Sequence, residues 1–467
     1  MKVCLVYPDI GGVEHYGARK FYHGLGYISS ILKKAGHETT LLYLQAEPTR
    51  ESLLQQVASL APDVVAFSAT THQFPYVARC ARWIKKEMPA VWTIVGGTHP
   101  TLVPADVISE PGVDVACVGE GEYPMLDWVG ALQEGKDVTH IRNLWLRQGE
   151  NVVRNPLRPL IANLDELPFA DRELFAFEQI LAKNDGWVDL MAGRGCPYGC
   201  SYCCNPTLRQ TFKGLGNYVR FRSVENVLSE IHLLTSRYVV KTLNFQDDVF
   251  TLDRDWTLQF CQAYRQQFRL PFWINTRVER INDEEMVAAL AQAGCRGVRI
   301  GIESGNESLR SEILKRRMSN DEIRQAFALA NKHGLDVYTC NMLGVPGETA
   351  AMIEETIALN RELQPADLQF SVFYPYPMTE LYDLCAREGY LTEGESLPSY
   401  YERKSILHLP TLTAEELERE YDRFQELKAE LRMGNETSFR HRMLRFLSLA
   451  RRRARCGSER AVKDESR

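Results

Sequence analysis

Short apolar runs alternate with amphipathic segments along most of this chain, and no other feature constrains its fold as strongly. From residue 1 to about 140 the runs are VCLVYP (3–8), TTLLYL (39–44), DVVAFSA (63–69), VWTIVGG (91–97) and VDVACVGE (113–120). Helix-like stretches separate them: YISSILKKAG (27–36), ESLLQQVASL (51–60), YVARCARWIKKE (76–87) and MLDWVGALQEG (125–135). Strands buried on both faces read as near-continuous apolar runs, so this series predicts an α/β domain with a doubly wound parallel sheet. A second series follows: VDLMAG (188–193), VKTLNFQDD (240–248), FWINTR (272–277), GVRIGIESG (297–305), DVYTCNMLG (336–344) and LQFSVFYPYP (368–377). Its strand–helix units predict an incomplete parallel (βα)6 barrel. In both architectures ligands gather at the carboxyl ends of the strands.

Composition narrows the function classes. The chain has 467 residues, which suits two or three domains. Its net charge of -6 argues against a whole-protein nucleic-acid footprint, and no nucleic-acid partner is expected. The opening MKVCLVYPDIGG reads as a buried strand, because no small-residue cleavage site follows its apolar run. No run approaches the roughly 18 apolar residues of a membrane span. With 12 cysteines and no secretory signal, a disulfide framework is disfavoured and a reducing, cytoplasmic location is expected.

Four of the cysteines fall within RGCPYGCSYCCN (194–205). Cys196, Cys200 and Cys203 have the spacing C-x3-C-x2-C. Zinc sites commonly take four ligands from paired C-x2-C units. Three thiolates in one tight loop suit three irons of a 4Fe-4S cluster and leave the fourth iron open. A zinc loop or chance clustering are the alternatives on spacing alone. Cys204 is a surplus thiol, read as packed beside the site.

This spacing, with aromatic Tyr202 before the last cysteine, is the signature of the radical S-adenosylmethionine (SAM) superfamily. The segments DDVF (247–250), GIESG (301–305) and GVPGET (344–349) resemble that family's strand ends. The resemblance implies a 4Fe-4S cluster on Cys196, Cys200 and Cys203. It also implies an S-adenosyl-L-methionine site built from Tyr202, Asp247, Arg277, Glu303, Ser304 and Asn341. PYPMTELY (375–382) departs from the pattern, with Met378 where relatives often have glycine. Upstream, PDVVAFSATT, IVGGTHPT and VDVACVGEGE together resemble the cobalamin-binding domain that precedes many radical SAM enzymes. The residues implied there are Ser68, Thr70, Gly96, Gly97, His99, Gly119 and Glu120. The D-x-H-x-x-G motif of some cobalamin proteins is absent, since Asp9 is followed by Gly11. The lower axial ligand is therefore unassigned, with His15, His72 and His99 as nearby candidates.

The expected organisation is a flavodoxin-like cobalamin-binding domain (1–140), a connector (141–181) containing NLDELPFADRELF, a radical SAM core (182–410) and a helical extension (411–467) ending in a disordered tail. Ser319-x-x-Glu322 and Thr413-x-x-Glu416 read as capping boxes. The basic segment SFRHRMLRFLSLARRRAR (438–455) reads as a docked helix with a solvated end, or as a weak contact with a membrane surface. Phe370, Phe373, Tyr374 and Tyr376 read equally as substrate lining or as core. The family resembled is that of the class B-type radical SAM methyltransferases and relatives such as the anaerobic magnesium-protoporphyrin ester cyclase. Membership implies SAM cleavage to a 5′-deoxyadenosyl radical and methylation of an unactivated carbon. The substrate would be a small or lipid-like molecule, and a flavodoxin or ferredoxin would donate electrons. Cyclisation, oxidation or rearrangement without methyl transfer is one alternative. An iron–sulfur binding or sensor protein is another.

Overall fold

A computed structural model describes residues 1–10, 20–392 and 402–434. Gly11, His15, the basic segment 438–455 and the tail lie outside them. The first series of runs forms β1 (Lys2–Pro8), β2 (Glu38–Leu44), β3 (Val64–Ser68), β4 (Trp92–Gly96) and β5 (Val115–Cys117), all parallel. Two further strands, β6 (Leu144–Gln148) and β7 (Asn151–Arg154), extend the sheet as an antiparallel hairpin. They fall in the segment expected to be connector. Their two-residue turn places Gly149 at φ 60°, a conformation glycine adopts without penalty. The sheet order is β2-β1-β3-β4-β5-β6-β7, so winding reverses between β1 and β3. Such a switch point opens a crevice beyond the strand ends.

Side-chain parity divides this sheet into two buried faces. Cys4, Val6, Val65, Phe67, Val95 and Ala116 pack against the helices Arg50–Leu60 and Phe74–Glu87. Val3, Leu5, Val64, Ala66, Ile94 and Val115 face the helices His23–Lys34 and Glu122–Gln133. That second core does not stop at the domain edge. It runs on through Phe175 and Phe177 of the connector into Val188, Phe245, Ile274 and Ile300 of the second unit.

There the second series forms β8 (Trp187–Leu190), followed by the short pair β9 (Gly193–Arg194) and β10 (Arg220–Phe221), then β11 (Thr242–Phe245), β12 (Phe272–Thr276), β13 (Cys295–Glu303), β14 (Asp336–Leu343) and β15 (Asp367–Val372). The barrel strands run β8-β11-β12-β13-β14-β15, all parallel and in chain order, leaving the arc open between its first and last strands. The capping box at Ser319 is formed, and reciprocal Thr413–Glu416 hydrogen bonds start the helix 414–434. That helix packs Leu417, Phe424 and Leu427 against Leu343, Phe370 and Val372 on the outer face of β14 and β15. Phe370 is therefore core. No helix among the described residues is long and apolar enough to cross a membrane.

One buried charge set ties the connector to the barrel. Glu230 accepts from Arg172 of the connector at 3.3 Å and from Arg222 at 2.5 Å. Burial opposes the Glu230 charge, but the two arginines overcome it and hold the carboxyl below its ordinary range. Glu230→Ala would leave two buried guanidinium groups without a counter-charge. The expected cost is about 3–5 kcal/mol, read as a clear fall in the unfolding temperature.

Candidate active site

The carboxyl ends of both sheets face one cavity of about 1610 Å3, well above the ~300–1,000 Å3 of an ordinary ligand pocket. Its first wall holds Leu5 and Tyr7 from β1, Ser68 from β3, Gly96 at the end of β4 with Gly97 after it, and Gly119 and Glu120 after β5. Its second wall is the barrel interior, with Cys196, Cys200 and Cys203 at the mouth.

The cysteine loop is held from several sides. Asp247 at the end of β11 accepts the backbone N–H groups of Ala192 and Gly193, fixing the approach to Cys196. Burial pushes the Asp247 carboxyl up to about 7, against those two donors. The Ser201 hydroxyl donates to the carbonyl of Ile313, and the Leu381 N–H to the carbonyl of Ser201. Arg277 donates to the Cys200 sulfur at 3.4 Å, and the Asn205 backbone N–H to the Cys203 sulfur at 3.5 Å. The Nε atoms of Arg277 and Arg316 are buried without a hydrogen-bond partner among the described residues. Cationic, under-satisfied donors beside three thiols fit an anionic iron–sulfur cluster, whose sulfurs accept such bonds. Among the described residues no three His, Cys, Asp or Glu side chains converge where a single metal ion could sit, as a zinc loop requires.

Glu303 lies beside this loop at φ 66°, a left-handed conformation that costs a non-glycine residue energy and is retained where surroundings enforce it. Tyr202 donates to its carboxylate at 3.0 Å, and Arg316 stands 3.7 Å away. Burial raises the Glu303 pKa, opposed by Arg316. The glycines of GIESG have distinct tasks. A Cβ at Gly301 would collide with the Glu303 carboxylate, and one at Gly305 would come within 2.5 Å of the Glu355 carbonyl.

Tyr202, Asp247, Arg277 and Glu303 thus line the cavity, whereas Ser304 and Asn341 do not. Ser304 is buried and accepts from the Asn306 N–H at 3.2 Å, closing the turn after β13. On β14 the cavity-lining residues are Asp336, Tyr338 and Cys340, so Asn341 has the opposite parity and points to the helical layer. There it accepts from Asn360 at 2.9 Å. In the first domain Ser68, Gly96, Gly97, Gly119 and Glu120 line the cavity, and Thr70 and His99 do not. Thr70 bonds Gln73 at the start of a helix. His99 is buried between Thr71 and the Phe74 ring, and burial pushes its pKa down to about 4. His72 bonds the Tyr376 hydroxyl at 3.1 Å and is also outside the cavity lining. The Glu120 carboxylate is taken up by Arg194 at 2.8 Å and Arg220 at 3.0 Å. The open backbone at Gly96, where a Cβ would meet only Cys117 at 3.6 Å, leaves room for a large cofactor over the switch point.

Sequence reasoning missed Arg316, Asn205 and Arg299. Arg316 sits in the charge run KRR (315–317), which looks like a solvated face. Arg299 was within reach, because it shares strand parity with Glu303. Met378 is exposed at φ 66°, which explains the preference for glycine there in the family resembled.

The family model "Radical SAM superfamily" matches residues 190–359, and "B12 binding domain" matches residues 21–128. An uncharacterised methyltransferase of Pyrococcus horikoshii is 28% identical over 387 residues, 82% of this chain and 83% of that one. The anaerobic magnesium-protoporphyrin IX monomethyl ester cyclase of Rubrivivax gelatinosus is 26% identical over 396 residues, covering 82% and 69%. The radical SAM methyltransferase TsrM from Kitasatospora setae, solved with tryptophan and a SAM analogue, superposes with a TM-score of 0.69 at 18% identity. That match covers 91% of this chain and 89% of TsrM.

The buried Glu348 of GVPGET yields a pH prediction. Its carboxylate accepts from the N–H groups of Gly344 and Val345, yet burial pushes its pKa up to about 8. The folded state therefore binds this proton more tightly than the unfolded chain. Its contribution is full below the unfolded value of about 4.5 and is lost as pH rises through about 8. Glu348→Gln keeps the acceptor and should flatten the fall in unfolding temperature across that window.

Proposed function

We propose that this chain, with a radical SAM match behind a B12-binding match, belongs with the cobalamin-dependent radical SAM enzymes and is a methyltransferase acting on an unactivated carbon. The observation that carries the reading is the single cavity joining the three-cysteine loop to the switch-point crevice of the first sheet. Bound there, the cofactors supply a 5′-deoxyadenosyl radical from SAM and a transferable methyl group.

The chain's own residues bind, orient and enclose. Cys196, Cys200 and Cys203 would hold the cluster, with Arg277, Arg316 and Asn205 giving its sulfurs N–H donors. Glu303, fixed by Tyr202 and Arg316, would bind SAM. The first sheet would hold cobalamin over Ser68, Gly96, Gly97 and Gly119, packed against the barrel mouth. A cysteine-ligated cluster suits a reducing compartment, which favours the cytoplasm, with a flavodoxin- or ferredoxin-type electron donor. Methyltransferases among the relatives in sequence favour methyl transfer, while the cyclase supports radical chemistry without it.

Anaerobic reconstitution tests the cofactor reading. Iron for one 4Fe-4S cluster and an equimolar amount of cobalt are expected per chain, and Cys200→Ala should abolish reductive SAM cleavage. Glu303→Ala should weaken SAM binding about tenfold or more, the loss of a charge-assisted hydrogen bond, with iron content unchanged. With a turned-over substrate, S-adenosylhomocysteine and 5′-deoxyadenosine should appear together. Product-linked 5′-deoxyadenosine alone would place the chain with the cyclases.

A further inference from the structure

Arg299 lies four residues before Glu303 on the cavity-facing side of β13, roughly 13 Å deeper at ~3.3 Å per residue. Its guanidinium stands 5.2 Å from the Trp273 ring and 6.0 Å from that of Tyr338. Gly297 admits the Trp273 ring, since a Cβ there would come within 2.5 Å of it. Asn244 accepts one Arg299 N–H at 2.7 Å. Asp189 attracts Arg299 at a distance but forms no ion pair with it, its own carboxylate accepting from Asn244 at 2.6 Å and Gln246 at 2.9 Å. Asp336 and Asp367, on the same stretch of wall, are paired with Arg296 and Arg432 at 2.9 Å each. Among the described residues Arg299 forms no ion pair of its own.

A guanidinium carries five N–H donors, and burial holds that of Arg299 below the ordinary arginine value. A desolvated cation without a paired carboxylate costs stability. Costs of this kind are kept where a ligand uses them. We propose that the acceptor substrate carries an oxyanion, a carboxylate or a phosphate, and that Arg299 receives it inside the barrel. The aromatic rings hold the guanidinium in place by cation–π attraction and present a flat apolar surface beside the anion. Distance along β13 then sets which carbon lies near the barrel mouth. This rests on reading the cavity as the seat of the radical reaction.

The test follows the unfolding temperature of reconstituted holoprotein with benzoate, phenyl phosphate or neutral benzamide. At least one anion should raise it and benzamide should not; the stronger of the two anions identifies the oxyanion class. Arg299→Met should need roughly tenfold or more anion for the same shift, the loss of one charge-assisted hydrogen bond. The shift given by SAM should be unchanged. Without ligand this variant should unfold at the same temperature as the parent or higher, because a half-buried charge without an ion pair has been removed. No anion response, an equal response in Arg299→Met, an equal response to benzamide, or failure of the variant to fold would overturn the assignment. S-adenosylhomocysteine is not read in this assay, so failure of the methylation reading would show separately.

Discussion

Arg194 joins the two halves of the molecule. It is two residues ahead of Cys196, on a short strand of the barrel domain, yet its guanidinium is spent on the first domain. It bonds Glu120 at 2.8 Å and Glu122 at 2.6 Å. Arg220, opposite Arg194 on β10, bonds Glu120 as well. Burial works against the Glu120 charge, and the two arginines more than offset it, holding the carboxyl below its ordinary range. The cysteine loop is thus set relative to the strand ends of the first sheet by charges that cannot easily part, because separating them would strand several buried ions. The continuous apolar core beneath makes the joint rigid. Two cofactor sites that must cooperate across a cavity need such a joint, since reacting groups misplaced by an ångström lose much of their rate.

The cavity wall itself is built by strand parity. On β14 Asp336, Tyr338 and Cys340 face inward while Val337, Thr339 and Asn341 are buried behind them. Arg299, Gly301 and Glu303 form one inward row, Ile300 contributes to the wall between them, and Ile302 belongs to the core behind it. Polar groups in the row are satisfied by one another, as Asp189, Asn244 and Gln246 are, or stand ready for a ligand. Positive φ values at Glu303 and Met378, both near the barrel mouth, mark where regular strand geometry yields to the site.

Much of this was legible beforehand. The alternation of apolar runs located the strands of both sheets to within a few residues, because burial on two faces leaves no other pattern. The hairpin β6–β7 was not legible. Its residues alternate weakly, and only pairing with β5 makes them strands. The cysteine spacing pointed to a cluster, since the ligand chemistry is local to one loop. Asn341 and Glu120 show the limit. Each is a polar residue near a strand end, but long-range partners decide its use: Asn360 for the first, Arg194 and Arg220 for the second.

By itself, then, the sequence determined the layered α/β architecture and singled out the cysteine loop as the candidate ligand set. Both follow from short-range rules: the period of hydrophobicity and the spacing of ligands. Only the tertiary structure decided which polar side chains face the common cavity, which are consumed in holding the domains together, and where a cation among the described residues is left without a directly paired carboxylate. Those outcomes depend on residues dozens to hundreds of positions apart meeting across a buried interface, where the cost of desolvation selects the pairs.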